Sequence, residues 1–433
     1  MNRRDLLKYI GAASAAITFG PALRGARKAR AATPGLSAPK RLLVCVAGGG
    51  WDTTYSIDPK AQSATVDVPA SSSIKTYGNL DIAYDTTKTV FPNVDTYFTK
   101  YGANTAVIRG ISIASVAHSE CMKRICTGTR NSTSADLGAT VAHDLNNGLP
   151  LPYLILGTNA FSGPYAVSAG RVGTSNQILA LLDPAQAYET QGVNMLTTTT
   201  AEDDAIRAFI AASASRERAT RGANGYNRAR IDDFLTAIDH GKLLQGHAID
   251  FGHRGNTLTF QNQIDLAVKA ISGGISQAVM LGITAPGVKW DTHTQNTVQG
   301  PSHDATFSGL TYLLDKMAAT PTPAGTMLDD TIVVVVSEMG RTPKLNANQG
   351  KDHWPVTSAL VIGAGAVKGN TVFGGTDPTT VSALPINYAT GAVDTNAGKT
   401  LTYDSFIAGV LSLCGVDPSA HLPSSEVFNA FAA

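Results

Sequence analysis

Acids and histidines recur in this 433-residue chain just after unbroken aliphatic runs. In an open α/β sheet, ligand sites lie at the carboxyl ends of the strands. The run Ile332-Val333-Val334-Val335-Val336 leads into Ser337-Glu338-Met339-Gly340-Arg341. A carboxylate delivered straight to a sheet edge is costly unless it is solvated or bound to metal, so Glu338 is a candidate ligand. Gly350-Lys351-Asp352-His353-Trp354 follows and adds His353; in a purely structural reading, Arg341 or Lys351 pairs with these acids. The run over 278–283 passes into Lys289-Trp290-Asp291-Thr292-His293. Asp291 and His293 are two apart and project to one side of extended backbone. Carboxylate with imidazole suits a divalent transition metal, most often zinc.

Two further segments end in polar residues. The run over 41–47 stops at Gly48-Gly49-Gly50, and Asp52 emerges two residues later, either as a ligand or as an ordinary turn or cap residue. A phosphate-cradling loop is disfavoured there, because no Gly-Lys-Ser/Thr follows. The run over 105–108 leads to Ala117-His118-Ser119-Glu120 and then a helical pattern. A hydroxyl at a strand-to-helix transition sits where helix amides stabilise an anion, so Ser119 is a candidate nucleophile and His118 its base or a ligand. The structural alternative for Ser119 is a helix cap. His303 and Asp304 read as the start of a helix.

The elements that must position these residues are legible as alternation. Apolar runs at 41–47, 105–108, 153–156, 278–283, 332–336 and 359–362 read as strands, several buried on both faces. Helical patterns cover 201–221, 231–244, 257–271 and 305–317. This order predicts an α/β fold with a largely parallel sheet covered on both faces. The polar, helical stretch over about 184–253 reads as an insertion in a single domain spanning 32–433, and the Gly, Thr, Asn and Pro-rich stretch over 365–400 as surface loops or hairpins.

Residues 1–31 carry seven Lys or Arg against one acid, a net of +6, which leaves about −5 for the remainder of a chain whose total is +1. No basic stripe marks the remainder as a nucleic-acid binder. Arg3-Arg4 stand before a weakly apolar stretch over 9–23, and Ala29-Arg30-Ala31 offers small residues at a cleavage site. The segment resembles a twin-arginine export signal, too short for a membrane span, so the mature protein is expected in the periplasm or outside the cell. Cys45, Cys121, Cys126 and Cys414 are few for this length and read as buried thiols, with one bridge formed after export as the alternative.

Gly-Gly-Trp-Asp-Thr (49–53), His118-Ser119, Trp-Asp-Thr-His (290–293), Ser-Glu-Met-Gly-Arg-Thr-Pro (337–343), Gly-Lys-Asp-His-Trp (350–354) and Gly-Gly-Thr-Asp (374–377) occur in that order. Together with the twin-arginine start they resemble the bacterial family called domain of unknown function 1501, itself similar to the alkaline phosphatase and sulfatase superfamily. The resemblance implies an alkaline-phosphatase-like sandwich with acids and histidines holding metal at the carboxyl edge of the sheet. Asp52 matches that superfamily's early Asp, Ser119 its nucleophile, Asp291 and His293 a later Asp and His at shorter spacing, and His353 the final His. Its late Asp-His is replaced here by Ser337-Glu338, one imidazole fewer.

The leading expectation is therefore an exported metal-dependent hydrolase of phosphate or sulfate esters. Asp52, Asp291, His293, Glu338 and His353 would hold a divalent ion, with zinc favoured over calcium, magnesium or manganese. Ser119, or an oxygen activated by the metal, would attack; His118 would assist, and Arg341 or Lys351 would clamp the charge of a small anionic ester. The expected partners are that ester and the twin-arginine export machinery, with no nucleic acid and no membrane span after cleavage. The alternative is a non-catalytic exported binding or assembly protein that keeps the fold and a structural metal. A cofactor-dependent oxidoreductase is disfavoured, because no Gly-x-Gly-x-x-Gly lies in a βαβ setting.

Overall fold

The computed structural model of the protein describes residues 40–85, 92–146, 148–172, 199–220, 222, 225–246, 258–285, 287–323 and 325–433. The export signal read over 1–31 lies outside the described residues, as do 184–198 and 247–253 of the expected insertion.

The chain opens with β1 (Arg41–Val46), then a hairpin of β2 (Ser72–Tyr77) and β3 (Leu80–Asp85), α1 (Pro92–Tyr101) and β4 (Thr105–Ser112). Two helices, α2 (His118–Thr127) and α3 (Leu137–Asp144), lead to β5 (Tyr153–Leu156) and β6 (Ala169–Val172). The helices α4 (Thr200–Thr220), α5 (Gly225–Gln245) and α6 (Phe260–Ser272) precede β7 (Ala278–Gly282). After it come α7 (Gln299–Ala319), the small ribbon β8 (Pro321–Thr322) and β9 (Gly325–Thr326), α8 (Met327–Asp330) and β10 (Thr331–Val336). The chain ends with the short pair β11 (Gly340–Arg341) and β12 (His353–Trp354), then β13 (Val356–Ile362), β14 (Thr371–Gly374) and α9 (Tyr403–Leu413).

Eight strands form the central sheet in the order β14-β4-β13-β10-β1-β7-β5-β6. β10, β1, β7, β5 and β6 pair in parallel, and β4 and β14 run with them; β13 alone runs against its neighbours. The carboxyl ends of β1, β4, β7 and β10 therefore share one edge with the amino end of β13, so the residues just before β13 enter the same edge from the opposite direction.

Period-two alternation divides the strands between two cores. Leu43 and Cys45 of β1 point into one layer with Tyr97 and Phe98 of α1, Ile264 and Ile271 of α6, and Phe307, Leu310 and Leu314 of α7. Leu42, Val44 and Val46 point into the other, against Cys121 and Ile125 of α2, Leu137 and Val141 of α3, and Phe406 and Val410 of α9. Helices thus cover both faces, as the apolar runs predict, because β1 past Arg41 and all of β10 are buried. On α1 the buried Val94, Tyr97, Phe98 and Tyr101 fall on one helical stripe. Within the expected insertion, α4 and α5 are 21 residues each, and Leu244 reaches the first core. Among the described residues no helix is long and apolar enough to cross a membrane. All four cysteines are buried and unpaired.

The structure adds the edge strands β6 and β14 and the helices α1, α3 and α9 to the elements read from the sequence. His303 lies one turn inside α7 and is fully buried. Over 365–400, apart from β14, the chain is held by isolated bridges such as Ile386 with Val393 and Lys399.

Candidate metal centre and adjoining cleft

Two close backbone approaches assemble the site. Gly49, at φ 130°, lies beneath Trp290 and Asp291: a Cβ there would stand 2.8 Å from the Asp291 nitrogen, so only glycine fits. At Gly350 a Cβ would stand 2.0 Å from the His293 carbonyl oxygen. That contact joins the loop after β7 to the loop before β12. Lys351 N–H donates to the Thr292 carbonyl at 2.9 Å, Asn296 N–H to that of Gln349 at 2.8 Å, and Thr294 bridges Gln349. Asp291 and His293 are thereby carried to Asp352 and His353, while the β11–β12 pairing sets Arg341 opposite His353. His118 enters at the first position of α2, which begins a few residues beyond β4.

Three imidazoles surround the Asp291 carboxylate. Its Oδ1 lies 3.3 Å from His293 Nε2 and 3.6 Å from His353 Nε2, and its Oδ2 lies 3.6 Å from His118 Nε2. His293 Nε2 and His353 Nε2 are 3.0 Å apart. His118, Asp291 and His353 each offer a ligand atom within 4.8 Å of the other two. Tetrahedral zinc with ligand bonds of about 2.0 to 2.1 Å requires ligand-to-ligand edges of about 3.3 to 3.4 Å. The separations among Asp291 Oδ1, His293 Nε2 and His353 Nε2 bracket that value.

The donor chemistry points the same way. His353 Nδ1 lies 2.7 Å from the Val116 carbonyl and must donate to it. His293 Nδ1 lies 2.8 Å from Asp352 Oδ1 and donates to that carboxylate. In neutral rings both Nε2 atoms then present lone pairs to each other, an arrangement relieved by a proton or a cation between them. Burial lowers the pKa of His353 and the Arg341 guanidinium adds to this, outweighing the hydrogen bond with the Val116 carbonyl that raises it. A proton is thus disfavoured on that ring, and the residues fit a divalent ion.

The groups behind this cluster fix its charge. Burial alone would raise the pKa of Asp291, but the Arg341 guanidinium, donating through Nη2 at 2.8 Å, outweighs it and holds the acid ionised. The hydrogen bond from His293 does the same for Asp352. His118 Nδ1 contacts Glu338 Oε1 at 2.8 Å, and that hydrogen bond raises the imidazole pKa.

Asp291, His293, His353 and His118 are therefore brought together, whereas Asp52 and Glu338 are not part of the cluster. Asp52, expected among the ligands, is fully buried. Its Oδ2 pairs with Lys351 Nζ at 2.7 Å and accepts from Asn296 at 2.8 Å, while Oδ1 accepts from the Thr54 amide and hydroxyl. Four donors saturate it. Glu338 is buried behind His118, where the Gly49 amide at 2.7 Å and the Ser337 hydroxyl at 3.2 Å also donate to it; it orients a histidine. Arg341, expected to clamp substrate, is enclosed. Besides Asp291 it donates to the carbonyls of Gly49, Gly50, Trp290 and Lys351, and so it braces the acid. Lys351 is committed to Asp52.

Ser119 is exposed and lines a cleft of about 720 Å³ beside the cluster. Val46, Gly49, Met122, Val172, Leu258 and Ile283 supply apolar and backbone lining, with His118 and Glu338 present on the same wall. Two functional candidates escaped the sequence reading. Asp352 stands in a quoted motif, but only the fold reveals that it holds His293. Arg171, on the short edge strand β6, also lines the cleft, and nothing in its spacing marks it.

Among solved structures, the chain is similar to a protein of the alkaline phosphatase superfamily from Vibrio parahaemolyticus, with 11% identity over 96% of this chain and 76% of that one at a TM-score of 0.37. It is similar to the C-terminal periplasmic domain of EptC from Escherichia coli in a zinc complex, with 9% identity over 91% and 88% at 0.42. A third is the lipoteichoic acid synthase LtaP from Listeria monocytogenes, with 7% identity over 94% and 78% at 0.37. No curated protein matches the chain. The family model described as protein of unknown function (DUF1501) matches residues 39–421, and the chain belongs to that family.

Proposed function

We propose that the protein is an exported metal-dependent hydrolase of phosphate or sulfate esters. The observation that carries this reading is the 3.0 Å approach of His293 Nε2 and His353 Nε2, each ring having committed its other nitrogen as a donor. Asp291, His293 and His353 would hold a divalent ion, with zinc favoured by the imidazole-rich donors. Bound there, the ion supplies Lewis acidity to an ester oxygen. His118, its pKa raised by Glu338, faces the cleft as the group that protonates the leaving oxygen. The attacking oxygen is that of Ser119 or of a water in the cleft, and export follows from the segment over 1–31.

Elemental analysis of the mature protein, purified without added metal or chelator, tests this. About one equivalent of metal is expected, lost in Asp291→Ala and His353→Ala and kept in Ser119→Ala; screening of aryl phosphates and sulfates then follows. A folded protein that stays empty after zinc, manganese, calcium and magnesium are supplied overturns the reading. One observation favours the binding or assembly alternative: among the described residues no base contacts the Ser119 hydroxyl. On that reading Ser119→Ala leaves every property unchanged.

A further inference from the structure

The cleft extends well beyond the metal centre, and its far end carries a cation. Arg171 lies on β6, paired with Ile155 of β5. Its side chain is half-buried, and its Nη1 donates to the Thr158 carbonyl at 2.7 Å. Among the described residues no acid stands in ion-pair contact with it. It differs in this from Arg109, paired with Asp58 at 3.6 Å, and from Arg341, paired with Asp291 at 2.8 Å. Thr158 and Asn159 line the same end, and the structure shows no hydrogen bond from either side chain among the described residues.

β6 is three strand positions from β1 in the sheet, so the two are about 14 Å apart at the usual strand spacing. The Gly49 amide and Glu338 mark the metal-centre end, over β1 and β10. Between β1 and β6 stand β7 and β5, whose carboxyl ends bring Gly282, Ile283 and Gly157 to the cleft, and Val46, Met122, Val172 and Leu258 add apolar lining. A lone phosphate or sulfate is far too small to touch both ends. A half-buried guanidinium that meets no carboxylate among the described residues is suited to a planar or tetrahedral oxyanion, which it can meet with two parallel hydrogen bonds.

We propose that Arg171 anchors a second anionic group of the substrate, so that the substrate class is an elongated ester with an apolar middle and an oxyanion at its far end. The proposal rests on the hydrolase reading for what happens at the near end. Arg171 is a specificity-determining residue on this account, remote from the reacting atoms.

The test is calorimetric binding of two non-hydrolysable probes to the mature protein: octylphosphonate, and the same molecule ending in a carboxylate in place of its methyl group. The carboxylate-ended probe is expected to bind about tenfold tighter. Arg171→Met erases that preference and leaves octylphosphonate binding unchanged, which also shows that the variant is folded; Arg171→Lys retains part of it. Equal affinities in the parent protein, a preference that survives Arg171→Met, or no binding of either probe overturns the proposal. Asp291→Ala separates the two readings, since it should weaken both probes alike through the phosphonate end. If Asp291→Ala binds both as the parent does while the carboxylate preference persists, the hydrolase reading fails and the Arg171 subsite stands.

Discussion

Asp52 and Asp291 leave the same sheet edge, after neighbouring parallel strands, and each meets a cation from the 340–353 segment. Asp52 meets Lys351 at 2.7 Å with both side chains buried, and every oxygen is satisfied by a protein donor. Asp291 meets Arg341 at 2.8 Å, but its carboxylate is half-exposed among three imidazoles whose nitrogens are not all satisfied. A saturated buried acid has nothing left to offer a ligand, whereas an unsaturated exposed one beside imidazole lone pairs keeps oxygens free for one. Exposure and unmet hydrogen bonding, rather than acid identity or distance from a strand, separate structure from chemistry here.

The sharpest way to break this comparison is to remove one cation. Lys351→Met leaves Asp52 charged, buried and short of one partner, and is expected to cost about 3 to 5 kcal/mol in denaturant unfolding. Asp291→Asn keeps an oxygen for Arg341 and should change stability by no more than about 1 kcal/mol, while abolishing metal retention. If the two variants exchanged these effects, with Lys351→Met losing metal from a stable protein, Asp52 would return to the ligand set.

How far this was readable before folding varies with burial. β1 and β10 were legible because both faces of each are covered, which leaves an unbroken aliphatic run. The edge strands β6, Ala-Gly-Arg-Val, and β14, Thr-Val-Phe-Gly, are four residues each, with half-exposed positions, so no periodicity marks them. The reversal of β13 has no local signature either, yet it returns His353 to the edge that β1 and β7 reach from the other side. The positions of Asp291, His293, His353 and His118 at that edge followed from the runs before them. The inward turn of Asp52 and Glu338 did not, because it depends on Lys351 and His118, which arrive from distant segments. Arg171 was silent for a related reason: what marks it is that no acid pairs with it among the described residues, which only the fold reveals.

A smaller effect sharpens the contrast within the exposed site. Asp352 touches His293 and not the proposed ion, so Asp352→Asn should lower metal affinity about 10- to 100-fold without emptying the site at saturating zinc. Competitive chelator titration measures this, and an unchanged affinity would mean that His293 is not a ligand.

Acidity probes the buried side. His303, packed between Trp51 (tilted, 5.7 Å between ring centres) and Trp290 (edge-to-face, 5.0 Å), donates to the Asp52 carbonyl, and burial holds its pKa at about 4 against an ordinary 6.5. The unfolded chain therefore binds a proton between those values that the folded chain refuses. Stability from this group is complete above pH 6.5 and falls as pH drops towards 4, by at most about 1.4 kcal/mol per pH unit. Asp136, pushed up by burial to about 6, contributes the opposite slope, because its stability is complete below its unfolded value and is lost as pH rises through 6. The measurement is thus the difference between parent and His303→Gln in unfolding free energy at pH 7 and pH 5, the variant losing less on acidification.

The smallest stability effect is expected at Ser119, one of the two proposed sources of the attacking oxygen. Ser119 is exposed at the second position of α2, Ala117 rather than Ser119 occupies the cap, and no hydrogen bond of its hydroxyl is present among the described residues. Ser119→Ala should therefore change unfolding free energy by less than about 0.5 kcal/mol and leave metal content untouched. Cap loss, the structural role weighed for this residue, would instead cost about 1 kcal/mol. With stability and metal both constant, any fall in ester turnover reports the hydroxyl itself. Retained turnover assigns the attack to a water, because the only other proposed source of the attacking oxygen has then been removed.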